Sequence, residues 1–160
     1  MIRSKLFLIC PDCHLESRIR AHFPGHLYFL TALGSVFDAF GYNYEDHIQG
    51  FLTSENIKQI IIVNDCSCRF IQSVVKNEKG YETEAEEVLQ VLFSNCQIEL
   101  LAEKQLNRRA FRLAELNIQQ QAQTLKEHAF IGNRFETNKM ELKGMIYDRS
   151  INVFTEISLD

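Results

Sequence analysis

The sequence predicts an α/β fold: a central, mostly parallel sheet flanked by helices, ending in an antiparallel strand or hairpin. Three observations predict it. Short apolar runs alternate with helical patterns through the first 130 residues, the order that builds a parallel sheet with right-handed crossovers. The strongest run, Ile57 to Val63, contains the β-branched stretch Ile60, Ile61, Ile62 and Val63; being apolar on both faces, it reads as a strand covered on both sides. Near the end, Met140 to Tyr147 and Ile151 to Ile157 flank the polar turn Asp148-Arg149-Ser150, which is a hairpin pattern.

The elements follow in order. Leu6-Phe7-Leu8-Ile9-Cys10, stopped by Pro11, is a buried strand. Asp12 stands where it can cap a helix whose apolar face is Leu15, Ile19 and His22 or Phe23. Pro24-Gly25 is a turn, and His26 to Thr31 a second strand. Phe37, Phe40, His47, Ile48, Phe51 and Leu52 suggest one or two helices broken near Gly41. Asn64 to Ser67 forms a tight polar loop, after which Phe70, Ile71, Val74 and Val75 recur at helical spacing. Thr83-Glu84-Ala85-Glu86 is a capping box ahead of Val88, Leu89 and Leu92. Gln97 to Ala102 reads as a fourth strand. Phe111, Ala114, Ile118, Ala122, Leu125 and Ala129 define an amphipathic helix.

Composition narrows the function classes. The 160 residues are 46% hydrophobic and 24% charged, which suits a single domain over 1–160 with a core of its own. The net charge of −4 gives no basic face for nucleic acid; Lys104, Arg108, Arg109 and Arg112 read as a solvated helical face. No apolar run is long enough to cross a membrane. Only five apolar residues, Leu6 to Cys10, follow the opening Met-Ile-Arg-Ser-Lys. That is too short for a signal-peptide core, so a cytoplasmic location is expected. Five cysteines, an odd number in a chain of this size, favour free thiols or metal ligands over a disulfide framework.

Four of those cysteines fall in two groups. Cys10, Asp12, Cys13 and His14 follow the first strand, and Asp65, Cys66 and Cys68 follow the third. Ligands of α/β sheets gather beyond the carboxyl ends of the strands. If the two strands are neighbours, thiols and carboxylates converge at that edge. Zinc takes thiolate, imidazole and carboxylate donors. Equally, Cys10 and Cys68 could be small buried apolar residues. Cys10-Pro-Asp-Cys13 is also a C-x-x-C at a strand-to-helix junction, the pattern of a redox dithiol.

Four ordered segments resemble the β-class carbonic anhydrases. LFLICPDCH, from Leu6 to His14, is similar to that family's first strand and Cys-x-Asp-x-Arg. PGHLYFLTALG, Pro24 to Gly34, resembles its Pro-Gly-Asp strand and Arg-Asn-Ala-Gly turn. IIIVNDCSCR, Ile60 to Arg69, resembles the strand before Gly-His-x-x-Cys-Gly. MELKGMIYD, Met140 to Asp148, resembles a late strand with Gly-x-x-Tyr-Asp. The resemblance implies a β-carbonic-anhydrase-like domain that pairs as a homodimer. It further implies zinc as cofactor and carbon dioxide or bicarbonate as substrate. By position the metal ligands are Cys10, Asp65 and Cys68, and the catalytic pair is Asp12 with His14.

Two of those positions depart from the family. Asp65 stands where the family has its ligand histidine, and His14 where it has the arginine that keeps the aspartate off the metal. An alternative register, with His14 as first ligand, Glu16 as acid and Arg18 as arginine, fits the spacing less well. Without that arginine Asp12 is free to close the metal's fourth position, and a closed site is structural. Two thiolates plus Asp65 also carry one more negative charge than two thiolates plus imidazole, which weakens the Lewis acid. The expectation is a zinc site with carbon dioxide hydration weak or lost. Arg69, which follows the second ligand loop, is placed to reach Asp12 or Asp65; the alternative is a metal-free binding or assembly module, most directly if Arg69 pairs with Asp65.

Overall fold

The computed structural model describes residues 3–37 and 45–160. The expectations for Phe40 and Gly41 lie outside the described residues. Among the described residues five strands form one sheet: β1 (Ser4–Ile9), β2 (His26–Thr31), β3 (Ile57–Asp65), β4 (Glu141–Asp148) and β5 (Val153–Ile157). Their order is β2-β1-β3-β4-β5. The first four run parallel, and β5 returns antiparallel to β4, with Tyr147 opposite Phe154. The α/β sheet and terminal hairpin expected from the sequence are therefore present.

The helices are α1 (Glu16–His22), α2 (Glu45–Ser54), α3 (Arg69–Val75), α4 (Glu84–Asn95), α5 (Gln97–Ala102), α6 (Leu106–Glu127) and α7 (Ala129–Glu136). The long α6 packs over β3 and β4 through its fully buried Ala110, Leu113, Ala114, Ile118 and Ala122. It comes close enough that a side chain at Gly144 of β4 would meet Ile118 at 2.5 Å. An aromatic cluster packs elsewhere on the sheet: Phe7 lies 5.2 Å from Phe23, Phe23 5.3 Å from Phe154, and Phe154 4.6 Å from Tyr147. β3 is covered as its composition requires, with Ile60, Ile61, Ile62 and Val63 all buried.

Three local expectations are corrected. Gln97–Ala102 is the helix α5, not a strand. Its Gln, Glu, Leu and Ala favour helix. The place beside β3 is filled by β4, and Ile98, which alternation would have buried, is 91% exposed. Asp12 caps nothing: it lies within a 3₁₀ turn, Pro11–Cys13, and α1 begins after Leu15 without a side-chain cap. The amphipathic helix ends at Glu127, and Ala129 starts α7. Of the basic stripe, Arg109 bonds the carbonyls of Leu100 and Glu103, and Arg112 pairs with Glu99 and Glu115.

The capping box is formed as expected. Thr83 accepts from the Glu86 amide, and Glu86 reaches back to the Thr83 amide. Glu86 is itself buried and also takes the Tyr81 amide at 2.8 Å. Thr83→Ala is expected to cost about 1 kcal/mol, lowering Tm by about 2–4 °C; thermal unfolding followed by circular dichroism checks it.

Candidate metal centre

β1 and β3 are neighbours in the sheet, so the loops leaving their carboxyl ends meet. Cys10 is extended, Pro11 opens the 3₁₀ turn, and His14 closes it at φ 50°. Pro suits this place because it fixes its own φ and needs no amide donor. The turn brings the Cys13 amide to the Cys10 carbonyl at 3.2 Å. On the other loop, the Cys68 amide donates to the Asp65 carbonyl at 3.0 Å, and Cys68 leads into α3.

The outcome is a group of three thiols. The Sγ atoms of Cys10, Cys13 and Cys68 all lie within 4.8 Å of one another, and all three residues are buried. A zinc–sulfur bond of about 2.3 Å implies a tetrahedral sulfur–sulfur edge of about 3.8 Å, so small shifts would let all three hold one thiophilic ion. Cys66 and Cys96 stand outside this group. Burial pushes the Cys66 thiol up to about 12.

The three thiols share charge unequally. Cys10 is held down to about 3, chiefly because the Cys13 and then the Cys68 thiol donate to it, against the cost of burial. The Gly34 amide adds a further donor at 3.2 Å. Cys13 is driven up, first by donating to Cys10. Cys68 is pushed up to about 12, again with Cys10 as the leading cause. Cys10 is thus the acceptor of the group, with both other thiols donating to it. A divalent cation at their centre would remove that competition and deprotonate all three.

The two carboxylates proposed from the sequence are both engaged by arginines. Asp12 takes Arg69 bidentately, with Nε at 2.7 Å on Oδ2 and Nη2 on Oδ1. This holds its carboxyl below the usual carboxylate range. Arg69 is steadied in turn by the Tyr81 hydroxyl at 3.2 Å. The partner of Asp12 is therefore Arg69, not His14; the His14 charge adds only the weakest of the effects on that carboxyl. Asp65, only 1% exposed, accepts the Ser67 amide and hydroxyl on Oδ1 at 2.8 and 2.7 Å. Its Oδ2 lies 2.7 Å from Arg149 Nε. That contact is an ion pair without hydrogen-bond alignment, since Oδ2 has no hydrogen-bond partner. Arg149 also donates to the Cys13 carbonyl. A cavity of about 270 Å³ is lined by Asp12, Cys13, His14, Asp65, Cys68 and both arginines.

Thus the structure brings Cys10 and Cys68 together as read from the sequence. It adds Cys13, which the sequence offered only within the C-x-x-C pattern and not among the metal ligands, and turns Asp65 toward Arg149. The C-x-x-C spacing was the available signal for Cys13. For Arg149 there was none, because it reaches the site from the β4–β5 turn.

Behind Cys10 lies a buried polar network. Asn64 and Asn117 both donate to the Gly34 carbonyl, at 3.2 and 3.1 Å, and Asn117 donates to Asn64 Oδ1 at 2.8 Å. Ser35 Oγ bonds the Val63 carbonyl at 2.8 Å. Gly34, at φ 64°, takes a conformation suited to glycine, and its amide points at the Cys10 sulfur.

Comparison with known proteins agrees with this fold. No curated protein matches the chain by sequence. Among solved structures, the β-carbonic anhydrase CafA of Aspergillus fumigatus superposes with a TM-score of 0.84 at 17% identity. The match covers 100% of this chain and 77% of that one. A tetrameric β-carbonic anhydrase of Sordaria macrospora gives 0.81 at 18% identity, covering 99% and 82%. The Coccomyxa enzyme in complex with acetazolamide gives 0.78 at 12% identity, covering 98% and 72%. These likenesses establish the fold. No described helix is long and apolar enough to cross a membrane. The family model for carbonic anhydrase matches residues 5–151, and with that span the chain belongs to the β-carbonic anhydrase family.

Proposed function

We propose that the chain is a zinc-binding β-carbonic-anhydrase-like protein whose hydration of carbon dioxide is weak or lost. The observation that carries this is the group of three buried thiols, Cys10, Cys13 and Cys68, within 4.8 Å of one another, flanked by two carboxylates already held by arginines. The donors fit zinc, which accepts thiolate sets in closed and open sites alike.

In this reading Cys10, Cys13 and Cys68 hold the metal, and Asp65, the ligand expected from the sequence, is kept from it by Arg149. Arg69 restrains Asp12, doing from α3 what the resembled family does with the arginine that His14 replaces. Bound there, zinc would supply Lewis acidity and an activated water. Three thiolates place one more negative charge beside that water than two thiolates and an imidazole. At about two pKa units, this leaves about a hundredfold less of the active form at neutral pH. Carbon dioxide or bicarbonate is the substrate class, in a cytoplasmic homodimer. The Sordaria relatives are tetrameric, which supports self-association in general.

The Asp65–Arg149 ion pair balances that carboxylate without a metal, and this favours the second reading, a metal-free binding or assembly module. The test is the metal content of protein purified without a metal-affinity tag. Close to one zinc per chain, lost in Cys68→Ser, is the expected result. A hydration assay should then give a rate about a hundredfold below an active family member. Folded protein without stoichiometric metal would overturn the zinc reading in favour of the module, and a full hydration rate would overturn the loss of activity.

A further inference from the structure

We infer that Arg149 selects the ligand set, keeping Asp65 out of the metal site and Cys13 in it. The inference rests on the zinc reading above. Arg149 touches both alternatives for the third ligand with its side chain. Its Nε lies 2.7 Å from Asp65 Oδ2, and its Nη2 donates to the Cys13 carbonyl. It comes from the turn between β4 and β5, outside the loops that carry the ligands, so it acts as a positioning residue.

The Asp65 carboxylate lies outside the three-thiol group but borders it. It is 1% exposed, lines the same cavity as Cys13 and Cys68, and has only Oδ1 committed to hydrogen bonds. Its Oδ2 is satisfied by charge alone. A buried carboxylate without a counter-charge is strongly disfavoured, so once Arg149 is removed, a cation among the neighbouring thiols becomes its natural partner. At the same time the turn carrying Cys13 loses the donor that pins its carbonyl. Both changes push from three thiolates toward two thiolates and a carboxylate.

The experiment loads wild-type and variant proteins with cobalt(II) and measures the thiolate-to-metal charge-transfer intensity, which scales with the number of bound thiolates. The wild type should show three. Arg149→Ala should fall to two-thirds of that intensity, and Arg149→Lys, which keeps the charge, should stay near three. Arg149→Ala combined with Asp65→Asn should return to three, because the competing carboxylate is gone. Should Arg149→Ala fail to fold, Arg149→Gln replaces it with the same expectation. Three-thiolate intensity in the single variant overturns the inference alone. A double variant that stays at two-thirds overturns the exclusion of Asp65 by Arg149, since the loss would then come from the Cys13 turn alone. A wild type that takes up no cobalt overturns the zinc reading and the inference with it.

Discussion

Cys13→Ser is expected to weaken zinc binding by about two to three decades in Kd, while Asp65→Asn keeps close to one zinc per chain. Structural zinc sites with four ligands bind with about 10–16 kcal/mol, so one ligand is worth about 3–4 kcal/mol, which is two to three decades. Cys13 is buried within 4.8 Å of both other thiols, and serine offers no comparable donor. Asp65, by contrast, faces Ser67 and Arg149, and asparagine can still accept from Ser67. A change around the ligands rather than among them costs about 10–100-fold, which a tightly held ion survives at stoichiometric loading. Competition against a zinc chelator checks both variants. The reverse pattern, Asp65→Asn losing zinc and Cys13→Ser keeping it, would return the third ligand to the position first read from the sequence.

Asn117→Ala is expected to destabilise the fold by about 2–4 kcal/mol. Asn117 is fully buried on α6 and bonds both the Gly34 carbonyl and Asn64 Oδ1. Truncation leaves Asn64 Oδ1 without that donor in the interior, at about 1–3 kcal/mol, and adds a small cavity. A loss of about 3 kcal/mol lowers Tm by about 6–12 °C in a chain of this size. The same change loosens the Gly34 turn, whose amide lies 3.2 Å from the Cys10 sulfur. Calorimetric unfolding checks the stability, and a Tm within about 2 °C of wild type would show that the network contributes little.

The strands were legible because burial left its mark in composition. β3 had to be apolar on both faces, lying between β1 and β4 under helices, and Ile60 to Val63 say so. β2 was readable from end to end because Pro24-Gly25 marks its start. The capping box at Thr83 and Glu86 was readable because it is a local exchange of hydrogen bonds across one helical turn. Gln97–Ala102 misled because a short apolar run carries no information on whether a sheet has a place for it.

Taken alone, the sequence determined the α/β order, the terminal hairpin, the family resemblance and two of the three clustered thiols. These depend on periodicity, turn chemistry and motif spacing within short stretches of chain. Only the tertiary structure decided which charged groups pair. Arg69 is 57 residues from Asp12, and Arg149 reaches Asp65, and Cys13 across 136 residues of sequence, from the β4–β5 turn. An ion pair depends on where folding places two side chains, and no local pattern encodes that. Those two pairings engage both carboxylates beside the group of three sulfurs.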